Sequence, residues 1–266
     1  MDNRADIFSR LGRWSLIRLS VASDILVMLG RALKNVLPAV LQGNAAIRKV
    51  LMKQVYFTGL QASGIIVTIA VLLGTVIITQ VVSLVGTNGS LTGKILVWVV
   101  MRELAPLLTA IIVIARSGTA IAAELGSMKI NGEIDSIEML GIPAERYLIL
   151  PRILGVTISV VILTCYFVLA ACLASFLIAS VVWHIPYQQF VQGIMLSLGA
   201  TEVIVPFVKS LAFGLFISAT CCSYGLSVGR SATEIPQAAT KAVMTSLFAV
   251  FFLDGLITYL ASISFA

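Results

Sequence analysis

Between Lys53 and Lys94 the chain runs without a single charged residue. About 20 apolar residues suffice to cross a bilayer as a helix, so this stretch alone dictates a membrane-spanning segment. Composition extends the argument to the whole chain. It is 59% hydrophobic and 11% charged, where a soluble domain is about one-quarter charged. The 266 residues leave room for one membrane domain and no large soluble one.

Hydrophobic runs predict five spans, at about 58–84, 94–116, 152–183, 203–228 and 242–264. Gly86-Thr87-Asn88-Gly89-Ser90 reads as a turn between the first two. A second connection, around His184-Ile185-Pro186, leads into a weakly amphipathic stretch at 187–200. Ahead of the spans, Ile7, Phe8, Leu11, Trp14 and Ile17 recur at helical spacing with Arg10, Arg13 and Arg18 between them. A basic helix with Trp on its apolar side suits the membrane interface. The expected fold class is therefore an all-α integral membrane protein. An interfacial segment occupies 1–53 and a five-helix domain 54–266, with a cytoplasmic connection at about 117–151.

The basic residues set the orientation. Of 18 Lys and Arg, nine fall in the first 53 positions, four in 116–152 and two in 230–241. The opposite ends keep only Lys94, while Arg102 and Lys209 lie within spans. Positive charge concentrates on the cytoplasmic side, which puts the N-terminus inside and the C-terminus outside. The same distribution explains the net charge of +6 through lipid headgroups and makes nucleic acid a poor partner. No signal peptide is expected, because no short apolar core precedes a small-residue cleavage site. Both outer connections are short, so any substrate-capture domain belongs to another subunit.

Two constellations stand out. Arg102 and Glu103 interrupt an apolar span, and an ionisable residue at membrane depth marks a cavity or a partner. Neighbours on a helix point about 100° apart, so the two are not expected to pair with each other. Lys209 lies at a similar depth in the fourth span and is the expected partner of Glu103, at the rim of an apolar lipid cavity. Asp254, the deepest acid, is expected to hold a polar contact between helices. The second constellation is acidic. Glu124, Glu133, Asp135 and Glu138 are interleaved with Ile130, Ile134, Ile137, Met139 and Leu140. That pattern reads as a short amphipathic helix stopped by Gly141-Ile142-Pro143, offering a docking surface.

Other features carry less. The four cysteines sit in apolar runs at no metal-binding spacing, and lone His184 suits a helix end. Gly225 with Gly229, and Gly118 with Ala122, have the spacing of close helix contacts. Gly89-Ser90-Leu91-Thr92-Gly93-Lys94 lacks one residue of a phosphate-binding loop and is followed by Ile95. No Ser/His/Asp or Cys/His arrangement suggests an enzyme.

Four runs resemble the MlaE/YrbE permease family, the membrane subunit of Mce-associated ABC systems that move lipids across bacterial envelopes. They are Arg102-Glu103-Leu104-Ala105-Pro106, Ala115-Arg116-Ser117-Gly118-Thr119-Ala120, Ala123-Glu124-Leu125-Gly126-Ser127-Met128 and Ser136-Ile137-Glu138-Met139-Leu140. Ala105 stands where family members often have Gly. The resemblance implies a homodimer in the bacterial inner membrane, two cytoplasmic ATPase subunits and a periplasmic hexameric ring of MCE-domain protein. ATP and Mg then belong to the ATPase, and this chain holds no cofactor or metal. Phospholipid is the implied substrate, with Arg102, Glu103 and Lys209 near the lipid cavity. Glu124, Glu133, Asp135 and Glu138 take the ATPase-docking role, and Lys241 matches a basic position opening the fifth span. The rival readings are a stand-alone proton-coupled transporter working through Asp254 or Glu103, and a non-transporting anchor for an MCE ring.

Overall fold

The computed structural model describes residues 45–229 and 231–264, with positions 27 and 30. Of the interfacial segment expected at 1–53, only positions 27, 30 and 45–53 are among the described residues. Among the described residues no strand occurs. Five helices are long and apolar enough to cross a membrane: Arg48–Val85, Gly89–Ile130, Glu145–Trp183, Ala200–Leu226 and Glu234–Ile263. We refer to them as the first to fifth spans.

Each stands where its hydrophobic run put it, but most overrun the bilayer. At 1.5 Å per residue the 42-residue second span is roughly 63 Å long, twice the ~30 Å hydrocarbon core. It passes Arg116 unbroken and ends at Ile130, so the connection expected from residue 117 is helical for its first half. The physical reason is composition. Ala120, Ala122, Ala123, Glu124, Leu125, Met128 and Lys129 are good helix formers, and no proline interrupts 117–130. The chain turns at Gly132 (φ +70°), forms the short helix Glu133–Met139, and turns again at Gly141 (φ +77°) before Pro143. Both turns need a left-handed residue, which glycine supplies without a Cβ clash. The expected Gly-Ile-Pro stop is where the short helix ends.

The other end of the bundle is compact. Only 86–88 separate the first two spans, and the Asn88 side chain accepts a hydrogen bond from the Leu91 N–H at 3.3 Å. His184 ends the third span at φ +52°, the one positive value outside glycine among the described residues. The stretch expected as weakly amphipathic is a helix, Tyr187–Ser197, lying against Gly89–Leu96.

Interhelical contacts follow the small residues. A methyl group added to Gly225 of the fourth span would stand 2.9 Å from the Ala122 carbonyl oxygen, and one on Gly118 would stand 3.0 Å from Cys221 Sγ. The small-residue spacing thus builds contact between the second and fourth spans of one chain. Gly229 is no part of it. It lies past the helix end at Leu226, and its N–H donates to Glu234 Oε2 at 2.7 Å. Ser175 of the third span donates to the Gly74 carbonyl of the first at 2.9 Å.

Among the described residues four segments widen into π-helix: Tyr56–Leu60, Val97–Leu104, Ile114–Gly118 and Glu145–Ile149. The wide turn disturbs the regular hydrogen-bond ladder, and such turns recur at functional sites. Two of them meet. Arg116 donates to the Phe57 carbonyl and to Gln61 Oε1, both at 2.9 Å, with its guanidinium 5.1 Å from the Phe57 ring centre.

Candidate functional site

The second span carries Arg102 and Glu103 near one end and leads, at the other, through Glu124 to the short acidic helix Glu133–Met139. Its π-helical stretch Val97–Leu104 presents Arg102 and Glu103 toward the fourth and fifth spans. Lys209 comes from the fourth span with none of its side chain exposed, and its Nζ lies 2.5 Å from Glu103 Oε2. The same ammonium is 2.8 Å from Asp254 Oδ1 on the fifth span. Asp254 is ion-paired there without hydrogen-bond alignment, since that oxygen has no hydrogen-bond partner. Thr258 lies one turn beyond Asp254 on the same face, and its hydroxyl donates to Glu103 Oε2 at 3.2 Å. Lys209 therefore ties three spans through one nitrogen.

The pairing expected of Glu103 with Lys209 is present, and Asp254 does hold a contact between helices. Arg102 and Glu103 overturn their expectation. Arg102 Nε sits 3.5 Å from Glu103 Oε1, so these sequence neighbours meet after all. The 100° separation assumes a regular α-helix, whereas here the turn is widened and two long side chains curl together. Two cations and two carboxylates make the cluster neutral as a whole, which removes much of the penalty of placing charge at membrane depth. Arg102 and Glu103 keep 18% and 34% of their side-chain exposure, so the cluster remains open on their side. Thr258 escaped the sequence reading. Its position four residues after Asp254 was the available signal.

The expected apolar cavity is adjacent to the cluster but does not include its cations. A cavity of about 390 Å³ opens between the second, third and fourth spans. Met101 and Ser210 line it, the immediate neighbours of Arg102 and Lys209. Successive residues along a helix point in different directions, which sets Met101 and Ser210 on the apolar side and Arg102 and Lys209 on the charged one. Lys241 stands apart, exposed and thirteen residues before Asp254, roughly 20 Å away along the helix.

The acidic group divides. Glu124 lies on the helical extension of the second span, 3.0 Å from Arg152 Nη2 of the third, so one of its oxygens is already engaged. Glu133, Asp135 and Glu138 lie on Glu133–Met139 and are exposed, while Ile134 turns inward at 8% exposure. At the end of that helix Met139 and Leu140 project with 87% and 77% exposure. An apolar tip results at the end of a helix that bears three exposed carboxylates. The helix that leads to it ends at Ile130, 27 residues past Glu103 and about 40 Å from it by helix rise.

A family model described as Permease MlaE matches residues 51–260. A probable ABC transporter permease of Synechocystis is 30% identical over 223 residues, covering 83% of this chain and 84% of that protein. The Arabidopsis chloroplast protein TRIGALACTOSYLDIACYLGLYCEROL 1 is 29% identical over 206 residues, 76% of this chain and 59% of its own length. A probable ABC transporter permease of the alga Pyropia yezoensis is 27% identical over 211 residues, covering 79% and 80%.

Proposed function

We propose a function from a fixed premise: the chain belongs to the MlaE permease family. It is a multi-pass membrane permease subunit. On our reading it works in an ATP-binding cassette transporter of the bacterial inner membrane, as a homodimer that moves phospholipid or a related lipid to or from a periplasmic MCE-domain carrier. ATP hydrolysis takes place on a separate cytoplasmic ATPase.

The observation that carries the lipid reading is the charge cluster of Arg102, Glu103, Lys209 and Asp254 inside an otherwise apolar bundle. A bilayer interior holds charge where charge must be met, and a phospholipid brings a phosphate on two apolar tails. Arg102, held only at 3.5 Å by Glu103, is the cation with donors to spare for that phosphate. Lys209, fully enclosed by two carboxylates, orients the pair. The Arabidopsis relative supports a glycerolipid substrate through its name.

The test is mass spectrometry of lipid retained by the purified complex. Arg102→Ala is expected to lower lipid occupancy strongly, and Lys209→Ala to lower it through misplacement of Glu103. Wild-type occupancy in both variants would reduce the cluster to a structural lock.

ATPase docking rests on a different feature, the apolar tip of Met139 and Leu140 at the end of the helix that bears Glu133, Asp135 and Glu138. Interfaces concentrate their energy in such central apolar anchors, with charged residues at the rim setting partner choice. Leu140→Asp is expected to release the ATPase during purification, and Glu138→Lys to weaken its retention in a salt-dependent way. Full retention by Leu140→Asp would remove this surface from the interface.

A further inference from the structure

We propose that the cavity between the second, third and fourth spans is a binding site for a single acyl chain of a bilayer phospholipid, distinct from the charge cluster. The inference needs only the membrane-spanning fold and is independent of ATP-driven transport. The cavity lies among Val161, Cys165, Leu169, Ile204 and Phe207, with Met101 at its back.

Wall chemistry selects the occupant. The two hydroxyls in the lining are already spent on their own helices. Thr164 donates to the Val160 carbonyl at 2.8 Å and Ser210 to the Phe207 carbonyl at 2.9 Å. Pro206, also in the wall, has no N–H to offer. A polar ligand would be desolvated there without compensation, and an apolar cavity of this kind does not hold water.

Size narrows the choice further. The volume of about 390 Å³ lies in the range of small-ligand pockets. A hydrocarbon chain, with no polar group to satisfy, fits a cavity of that size and lining.

Position supplies the source. At the mouth, Ile204 and Phe207 are each 53% exposed and Leu169 61%, all within spans and so facing lipid tails or another membrane protein. The cavity occupies the same half of the bundle as the charge cluster, the half bearing the short connections. An acyl chain seated here lies one helix face away from Arg102 and Lys209.

Cys165 makes the site testable, because it is exposed while Cys221 and Cys222 are buried. The probe is phosphatidylethanolamine with a diazirine on one acyl chain, mixed into nanodiscs holding the complete complex. After illumination, crosslinked peptides are mapped by mass spectrometry. Crosslinks are expected to concentrate several-fold at Cys165, Leu169 and Phe207 over Leu173 and Leu177 on the same span's lipid-facing surface. Cys165→Phe, which fills the cavity, is expected to abolish that excess and leave the Leu173 yield unchanged. Its melting temperature reports whether it folds, and the milder Cys165→Leu repeats the test if it does not. Equal yields at both surfaces, meaning annular lipid only, would overturn the proposal. So would oxidative Cys165 disulfides between copies, which would assign the cavity mouth to a second chain.

Discussion

Lys209 is the residue on which the membrane interior turns. Its ammonium is buried and balanced by Glu103 and Asp254 from two different spans. Removing one partner from a buried ion pair is far more damaging than removing both, because it strands an uncompensated charge. Lys209→Met is therefore expected to destabilise the purified protein by about 3–5 kcal/mol in denaturant or thermal unfolding. Adding Asp254→Asn to that background is expected to recover part of the loss, since Asp254 is the carboxylate left without its cation while Glu103 keeps Arg102. A double variant no better than the single one would show that Asp254 and Lys209 do not share their energy. At this scale the sequence was informative in an uneven way. Depth counting paired Glu103 with Lys209 correctly, because depth depends only on rise along a straight helix. It missed Arg102 against Glu103, because that contact depends on a π-helical turn that no residue pattern announces. Thr258 was legible only once Asp254 had been placed on the face toward Glu103.

Elements pack by what their small residues allow. Gly225 sits against Ala122, and a side chain there must displace backbone of the second span. Gly255, on the fifth span, has open space around the same position. Gly225→Val is thus expected to cost about 1–3 kcal/mol through overpacking. Gly255→Ala is expected to be neutral, or to stabilise by up to about 1 kcal/mol through helix propensity. Thermal unfolding in detergent checks both, and equal effects would mean that the second and fourth spans do not rely on that approach. Hydrophobic runs located all five spans, since the bilayer imposes a length that composition must satisfy. Their ends were less legible. The second span outruns its apolar core as a helix because Ala and Leu sustain helicity in water as well as in lipid. Polarity rises from Arg116 onward, while helix termination waits for Gly132.

At the scale of the whole molecule, length and charge together set which end faces which compartment. One end carries the long connection, with Arg116, Lys129, Arg146 and Arg152 at or near it. Three of these are committed to structure. Lys129 donates to the Leu226 carbonyl at the end of the fourth span, where a cation meets the negative helix terminus, Arg152 binds Glu124, and Arg116 bonds Phe57 and Gln61 of the first span. Such residues resist translocation regardless of their structural duty, and it is their number near span ends that fixes orientation. The opposite end offers Lys94 alone. We therefore expect the Glu133–Met139 helix to face the cytoplasm, where an ATPase would find Met139 and Leu140. The helix Tyr187–Ser197 would then face the periplasm. In a background with all four cysteines replaced, a cysteine at Thr87 or Gln188 should react with a membrane-impermeant maleimide on spheroplasts. One at Asn131 should react only after permeabilisation. The reverse pattern would put the acidic tip beyond the reach of any cytoplasmic ATPase, and docking there would fail on topology alone, whatever the chemistry of the surface. The charge cluster would survive that outcome, because its depth is counted from helix ends and is the same for either orientation.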